Sequence, residues 1–436
     1  MILVEFLIIA FCIYMGVRAG GIALGMWGGL GLLLLAVLFG VVPGAPPIDV
    51  MLIIFSVCIC ASVMEVAGGL DYLVRIAARI IRANPKHVTI IAPVVGYIFT
   101  FLAGTGNIIY PLQPVIYEVA YSQGIRPERP MAGATVSSQL AIVASPISAA
   151  TGAFLGLIVS YNMTDFGLAD ILKFTVPTTF IAVILTGFIL MFYGKDLAKD
   201  KEYQARLAAG QVLPPEPISD EPLKPTAKIS VYIFLTAVAL IVATGFFPEL
   251  RTLPGQAKPV GMSLVIECVM LAVGAIMLTV TKADVGKIAT SPTLKAGVIS
   301  IASVFGLAWM SDSFIAANRQ FFMDYAGTFV QSAPWAFAFV LFIMSGLLNS
   351  QGATTRGVMP LGIALGIDPW YLVAMFPAVC GVYLLPTTGP ALAAVAFDRS
   401  GTTRIGKYVL NHSFQFPGVC MVTISVILGF VAVGFF

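Results

Sequence analysis

Long apolar runs separated by short polar breaks dominate the chain from its first residues to its last. Crossing the roughly 30 Å hydrocarbon layer as a helix takes about 20 mostly apolar residues. Ten runs answer to that description: 2–17, 21–42, 48–67, 134–160, 171–193, 229–247, 260–281, 293–316, 370–397 and 412–436. Two further stretches, 88–121 and 334–366, exceed one crossing, and each breaks near its middle with Gly, Asn, Gln, Thr and Ser. In the first, Val88–Ala103 would span roughly 24 Å as a helix and Ile108–Ala120 roughly 20 Å. Neither arm crosses alone, so both stretches read as re-entrant hairpins that turn inside the membrane. The pattern predicts an all-α polytopic membrane protein with about ten transmembrane helices and two re-entrant hairpins.

The order of elements then repeats. Residues 1–193 present three spans, an amphipathic segment, the hairpin 88–121, a span over 134–160 broken near "ASPIS" (144–148), and a span over 171–193. Residues 229–436 follow the same order, with the hairpin 334–366, the span 370–397 interrupted at "LPTTGP" (385–390), and the span 412–436. At a shift of about 242 residues Asn107 falls on Asn349, Gly124-Ile125 on Gly366-Ile367, Pro127 on Pro369 and Pro146 on Thr388. Each half crosses an odd number of times, so the second is inverted relative to the first. Inverted repeats with broken helices are the signature of secondary transporters, whose substrate site lies near the bilayer midplane. The one long polar stretch, 194–228, reads as a cytoplasmic linker between the halves, with a regulatory role as the alternative.

Composition agrees with this layout. Of 436 residues, 59% are hydrophobic and only 10% charged, against about 25% charged in soluble domains. A net charge of +3 gives no reason to expect nucleic acid. Placing both termini outside puts 19 of the 24 Lys and Arg on the cytoplasmic side, including Arg75, Arg79, Arg82, Arg126, Arg129, Arg399 and Arg404, as the positive-inside rule requires. Lys173, Arg251, Lys258, Arg319 and Arg356 remain on the other side. The six cysteines lie in apolar runs without metal or disulfide spacing and read as small buried hydrophobes. The first run lacks a basic leader and a cleavage site and reads as a retained span.

Candidate chemistry gathers at the four breaks. "GTGN" (104–107) follows no strand and precedes no G-K-[ST], which argues against nucleotide binding. In a membrane its glycines, Gly104 and Gly106, admit close approach to a ligand, while Thr105 and Asn107 supply donors ahead of a helix N-terminus suited to an anion. A plain kink packed by neighbouring helices is the alternative. The second tip, "NSQGATTR" (349–356), brings Asn349, Ser350, Gln351, Thr354, Thr355 and Arg356. An arginine at this depth is costly unless paired, and its fork matches a carboxylate; snorkelling to the outer surface is the rival reading. Ser145, Pro146 and Ser148 interrupt the first broken span, and Pro386, Thr387 and Thr388 the second. These breaks contain no Asp or Glu, which favours an anionic substrate over a cation pore. Glu267 and Asp312 are the acids placed to carry a coupling proton, although Glu267 is equally readable as satisfied by a neighbouring helix. With no H-E-x-x-H, G-x-S-x-G or Cys/His cluster, an enzyme is not expected, and neither cofactor nor metal is implied.

Several stretches also resemble the anaerobic four-carbon dicarboxylate carriers, the Dcu family: "GGIALG" (20–25), "AGGLDYLV" (67–74), "NPKHVTIIAP" (84–93), "AGTGNI" (103–108), "RPERPMA" (126–132), "ASPISAA" (144–150), "NSQGAT" (349–354), "LLPT" (384–387) and "FDRSGTTRIGKYVLNHSF" (397–414). The resemblance runs from end to end. It implies a bacterial inner-membrane carrier exchanging fumarate, malate or aspartate for succinate, or moving them with protons. It further implies a relation to the elevator-type ion-transporter superfamily, with 104–107, 145–148, 349–355 and 386–387 as the substrate cradle. The chain departs from the family at "LPTTGP", where Tyr-Pro is common after "LPT", and at Gly352, where Ala is frequent; both changes loosen the presumed site. A carrier of another organic anion would share the architecture. A membrane partner of a sensor kinase is the rival from another class, and the small-residue run "GGIALGMWGGLGLL" (20–33) suggests scaffold packing or a homodimer contact.

Overall fold

A computed structural model describes residues 2–19, 21–46, 48–161, 163, 166–212, 222–256, 259–318, 321, 333–348, 350–384, 388–406 and 411–434. Among them the backbone is helical almost throughout and forms no strand, apart from a bridge pairing Ile405 with His412. The chain opens with α1 (Ile2–Ala19), α2 (Ala23–Phe39), α3 (Ile48–Val66) and α4 (Gly69–Ala83). There follow α5 (Val88–Ala103), α6 (Gln113–Ser122), α7 (Glu128–Ala141), α8 (Ala149–Ser160) and α9 (Leu168–Met191). The short α10 (Lys201–Ala208) lies in the polar linker. Beyond it come α11 (Ala227–Phe246), α12 (Met262–Thr281), α13 (Val285–Ala289), α14 (Pro292–Ser303) and α15 (Trp309–Ala317). The chain continues with α16 (Ala336–Leu348), α17 (Gln351–Ala364), α18 (Pro369–Met375), α19 (Gly389–Phe397) and α20 (Gln415–Val433).

Five described helical segments are long and apolar enough to cross a bilayer unaided: Pro85–Ala103, α9, α11, α12 and α20. The first differs from the arm read from the sequence, because a 3-10 turn over Pro85–His87 extends α5 to 19 residues. Shorter apolar helices cover 2–16, 23–39, 149–160, 336–348 and 369–383. α3 and α4 meet at a 73° bend, made at Gly68, whose φ of 88° is open to glycine and strained for other residues. Past the bend α4 is amphipathic: Leu73, Ala77, Ala78 and Ile81 are buried, and the arginines between them serve the polar face.

The expected span over 293–316 is not a uniform helix. Its middle, Val304–Ala308, is a π-helical turn joining α14 to α15. The cause is tertiary. Gly25 and Gly28 on α2 lie directly against Gly306, so close that a methyl group on Gly28 would overlap the Gly306 carbonyl carbon, and one on Gly306 the Gly25 oxygen. The widened turn is centred on the point of closest approach to α2. The small-residue face of α2 is thus occupied within the chain, with Gly31 packed on Met310 and Cys12.

Polar side chains tie α5, α7 and α9 together inside an otherwise apolar body. Thr100 and Ser138 share a hydrogen bond of 3.0 Å, Ser137 Oγ donates to Pro93 O at 2.7 Å, Tyr97 and Thr179 meet at 2.7 Å, and Gln113 Nε2 donates to Thr135 Oγ1 at 2.8 Å. Between helices in an apolar setting such bonds contribute about 0.6–2 kcal/mol each, and their number makes this bundle a rigid seat for the breaks described below.

A second polar knot closes the opposite kind of surface, where the linker leaves α9. Arg126 pairs with Glu128 at 2.5 Å and with Asp200, while Arg129 reaches Asp196 at 3.0 Å and the Tyr193 carbonyl at 2.6 Å. Glu128 also accepts from Ser413 Oγ at 2.6 Å, and Asp398 accepts from Thr402 Oγ1 at 2.8 Å and the Ser400 amide at 2.9 Å. Arg206 Nε donates to Ser400 O at 3.2 Å, and Arg404 pairs with Glu202. Burial alone would push the Asp200 carboxyl up, but hydrogen bonds from Arg126 and from the Tyr203 and Glu202 amides hold it below its ordinary value. The far end of the linker binds elsewhere: Lys224 Nζ and Thr226 Oγ1 donate to Val66 O and Ala67 O at the α3–α4 bend, at 2.7 and 3.0 Å.

Two pairs of variants test this packing. Gly28→Ala is expected to lower the melting midpoint in detergent, by about 1–3 kcal/mol of overpacking. Gly29→Ala, with nothing within 4 Å of its added carbon, should leave the midpoint unchanged or raise it by up to about 1 kcal/mol. Arg126→Ala removes one partner of two ion pairs that are about nine-tenths buried, so a loss of about 3 kcal/mol is expected. Arg82→Ala, in a pair more than 40% exposed on the arginine side, should cost under about 1 kcal/mol in the same assay.

Candidate functional site

The first hairpin stretch breaks where α5 ends. Gly104 adopts φ 69° and packs on Ile147, Thr105 Oγ1 accepts from the Asn107 amide at 3.3 Å, and Gly106 O accepts from Ser138 Oγ at 3.2 Å. Asn107 is exposed. The α-helix does not resume at this tip: Gly106–Leu112 is a 3-10 segment, and α6 starts only at Gln113. Pro111 lies inside the 3-10 segment, and Pro114 opens the first turn of α6, where a missing amide hydrogen is tolerated. The helix N-terminus expected beside Asn107 therefore lies several residues further on.

The neighbouring break, between α7 and α8, is held from both sides. Ser145 Oγ donates to Phe101 O at 2.8 Å, Pro146 is buried, and Ser148 donates to Ile142 O at 2.5 Å while accepting from the Thr151 amide at 3.1 Å as the cap of α8. These contacts dock the break onto α5 and the tip that follows it.

The second tip has a different construction. Asn349 lies outside the described residues, but Ser350 caps α17 by accepting from the Ala353 amide at 3.2 Å, so this α-helix does begin at the tip. Thr354 and Thr355 donate back to Ser350 O and Gln351 O at 2.8 and 2.9 Å, which commits both hydroxyls to the helix. Arg356 is 2% exposed, and neither its Nε nor its Nη1 has a hydrogen-bond partner among the described residues. Gly352 sits one turn back, where an added carbon would come within 3.1 Å of Nη1. The guanidinium thus lies beside the first turn of α17, whose terminus already carries about half a positive charge. Two positive groups at one place, sealed from water, leave a strong demand for an anion; an unmade buried hydrogen bond costs about 1–3 kcal/mol, and more on a charged group.

Residue Gln139, which the sequence reading did not single out, joins three of the breaks: its own at the end of α7, the first tip and the second tip. It lies near the end of α7, and its main-chain oxygen accepts from Gln351 Nε2 at 2.8 Å and from Cys380 Sγ at 3.6 Å. Its side-chain amide rests against Gly106, so that a methyl group there would overlap Nε2. Tyr110 closes the ring: its hydroxyl touches Gly389 at the start of α19, next to the half-buried Thr388. Pro386 and Thr387 lie outside the described residues. Gln351 Oε1 is buried and has no hydrogen-bond partner among the described residues. The signal for Gln139 was present as "TVSSQ" (135–139), a polar run inside an apolar segment.

The two acids considered for proton coupling are distant from this junction in sequence and differ from each other. Glu267 is half-buried on α12 and engaged by a neighbour, whereas Asp312 on α15 has a buried Oδ1 with no partner among the described residues.

Comparison with known proteins places this geometry in context. Residues 1–436 match the family described as anaerobic C4-dicarboxylate membrane transporter. The chain is 39% identical over 440 residues to the anaerobic C4-dicarboxylate transporter DcuB of Escherichia coli, covering 98% of this chain and 97% of that protein. It is 41% identical over 433 residues to the C4-dicarboxylate transporter DcuA of Wolinella succinogenes, covering 99% of each. Among solved structures it is similar to the YdaH transporter of Alcanivorax borkumensis, with a TM-score of 0.59 at 16% identity, over 92% of this chain and 88% of that one.

Proposed function

The chain belongs to the anaerobic C4-dicarboxylate membrane transporter family, and from that premise we propose that it carries four-carbon dicarboxylates across the bacterial inner membrane by exchange, such as fumarate for succinate. The observation that carries the reading is Arg356: buried, with two nitrogens unpartnered among the described residues, at the start of a helix. A substrate carboxylate answers that demand with two charge-assisted bonds. Gly104–Asn107, Ser145–Ser148, Gln351 and Thr388 supply the neutral remainder of the cradle. Such a site suits a carrier, because an anion must be drawn out of water and still be released on the other side.

In this reading residues 1–193 and 229–436 are inverted halves joined by the linker 194–228. The two hairpins and broken spans form one body that moves against the remaining helices, in an elevator-like step, with both termini on the periplasmic side. The meeting of three breaks at Gln139, with Tyr110 reaching Gly389 beside the fourth, supports a single central site, as expected for inverted-repeat carriers. Asp312 is the favoured acid for proton coupling, because its buried oxygen lacks the neighbour that engages Glu267.

Counterflow of labelled succinate in proteoliposomes tests the proposal. For Arg356→Gln the expected result is at least about 30-fold weaker binding, the consequence of truncating one side of a buried charge pair. An unchanged affinity would remove the arginine from the site. Asn107→Ala is expected to abolish counterflow at normal expression, and ordinary exchange by this variant would exclude the first tip from the cradle.

A further inference from the structure

We propose that the cavity between the ends of α8, α9, α11 and α12 is a binding site for a phosphatidylethanolamine headgroup, with Arg251 holding the phosphate and Asp170 the ammonium. None of the cradle residues lines it, and the inference does not depend on which solute the chain carries.

The cavity measures about 440 Å³, and its walls come from both sides of the linker: Ile158, Leu168 and Asp170 before it, Pro248, Arg251 and Met262 after it. Helix α9 begins at Leu168, α11 ends at Phe246 and α12 begins at Met262, and all three are long and apolar enough to cross a bilayer. Where such helices end, hydrocarbon gives way to headgroups. Phe247, Leu250 and Leu253, around the turn that carries Pro248 and Arg251, are each more than half exposed. That apolar rim favours lipid over water.

Two residues of opposite charge line this cavity, and each keeps hydrogen-bonding capacity. Arg251 Nε donates to Thr244 O at 3.2 Å and Nη1 to Val260 O, which fixes the fork and leaves Nη2 without a partner among the described residues. Asp170 Oδ2 accepts from the Gly167 amide at 3.0 Å, whereas Oδ1 lies 3.6 Å from Lys173 Nζ, beyond hydrogen-bond reach. The Lys173 ammonium also stands over the Phe246 ring, 5.8 Å from its centroid. A guanidinium donor answers to a phosphate oxygen, and a carboxylate with acceptor capacity to a primary ammonium. A dicarboxylate would satisfy Arg251 but be repelled by Asp170. Phosphatidylcholine carries a cation with no N–H to donate, and phosphatidylglycerol carries no cation. The ethanolamine headgroup alone of the three supplies both partners, and Ile158, Leu168 and Met262 offer apolar cover for the glycerol and first methylenes.

The test uses the full-length chain in detergent, with native mass spectrometry reading the first lipid bound. The lipids offered are phosphatidylethanolamine, phosphatidylcholine and phosphatidylglycerol with identical acyl chains. The ethanolamine lipid is expected to bind at least about fivefold more tightly than either other, the difference of one hydrogen bond to a charged group. Equal binding of the three, or preference for another headgroup, would overturn the inference. Asp170→Asn keeps an acceptor for the Gly167 amide and removes the charge. It should bring the ethanolamine and choline lipids to within about twofold of each other. Val159→Trp, in the cavity wall, fills the space with both charged residues in place and should abolish the preference. A preference that survives either substitution would overturn the assignment to this cavity. Glycerophosphoethanolamine, the headgroup without acyl chains, should not displace the lipid at equal concentration. Displacement would make the ligand a soluble phosphodiester and overturn the lipid assignment.

Discussion

The carbonyl oxygen of Gln139 accepts hydrogen bonds from Gln351 and Cys380 near the end of α7, close to where the helix stops at Ala141. In hydrocarbon every main-chain polar group must find a partner within the protein, and an interrupted helix releases several at once. A break is therefore admissible only where something else meets it. Here the groups that meet the first broken helix are Gln351 of the second hairpin stretch and Cys380 of a 3-10 segment over Phe376–Tyr383, more than two hundred residues away. The same oxygen also accepts from the Ile142 amide at 3.3 Å, so the end of α7 is met both from within its own break and from the other half of the chain.

The linker obeys a different physics. Outside the membrane charge is inexpensive, yet Arg126 and Arg129 are buried and fully engaged, by Glu128, Asp196, Asp200 and the carbonyls of residues 193–195. The motif over 397–414 completes the arrangement: Asp398 folds its own turn and holds Thr402, which accepts from the Glu128 amide, while Ser413, bonded to Arg404, donates to the Glu128 carboxylate. One end of the linker is thus bonded to the helices that carry the breaks, and its other end to the α3–α4 bend. A segment that reads as a plain connector by composition binds both of the regions it joins.

How far the chain could be read without coordinates varies with the range of the interaction. The arm Val88–Ala103 and its end at Gly104 were legible, because glycine permits the positive φ that stops the helix and the following Thr105 caps the next turn. The broken span near 144–148 was legible from Pro146 and its serines, which leave helical hydrogen bonds unmade. The π-turn at Val304–Ala308 was not, since it arises from Gly306 meeting Gly25, and nothing in the local pattern of 293–316 departs from an ordinary helix. Gln139 was missed for a related reason. Its main-chain oxygen and not its side chain makes the decisive bonds, and a sequence distinguishes main-chain oxygens only through where helices end. The arginines at 126 and 129 were counted correctly as positive charge, but their partner acids lie too far along the chain to be paired by spacing.

The two tips correspond in sequence position and yet are chemically unequal. In the first, the chain runs as a 3-10 segment over Gly106–Leu112 that contains Pro111, and its α-helix begins only at Gln113, with Pro114 in its first turn. The second tip has no proline before Pro360, and α17 begins at once behind Ser350. Its terminal partial charge is therefore delivered at the tip itself, where Arg356 adds a full one. Residue 352, one turn before it, is glycine: a side-chain carbon there would stand 3.1 and 3.2 Å from the two terminal nitrogens, so the guanidinium would have to shift by a few tenths of an ångström to accept one. The bare backbone at 352 thus lets the arginine lie against the first turn of its own helix.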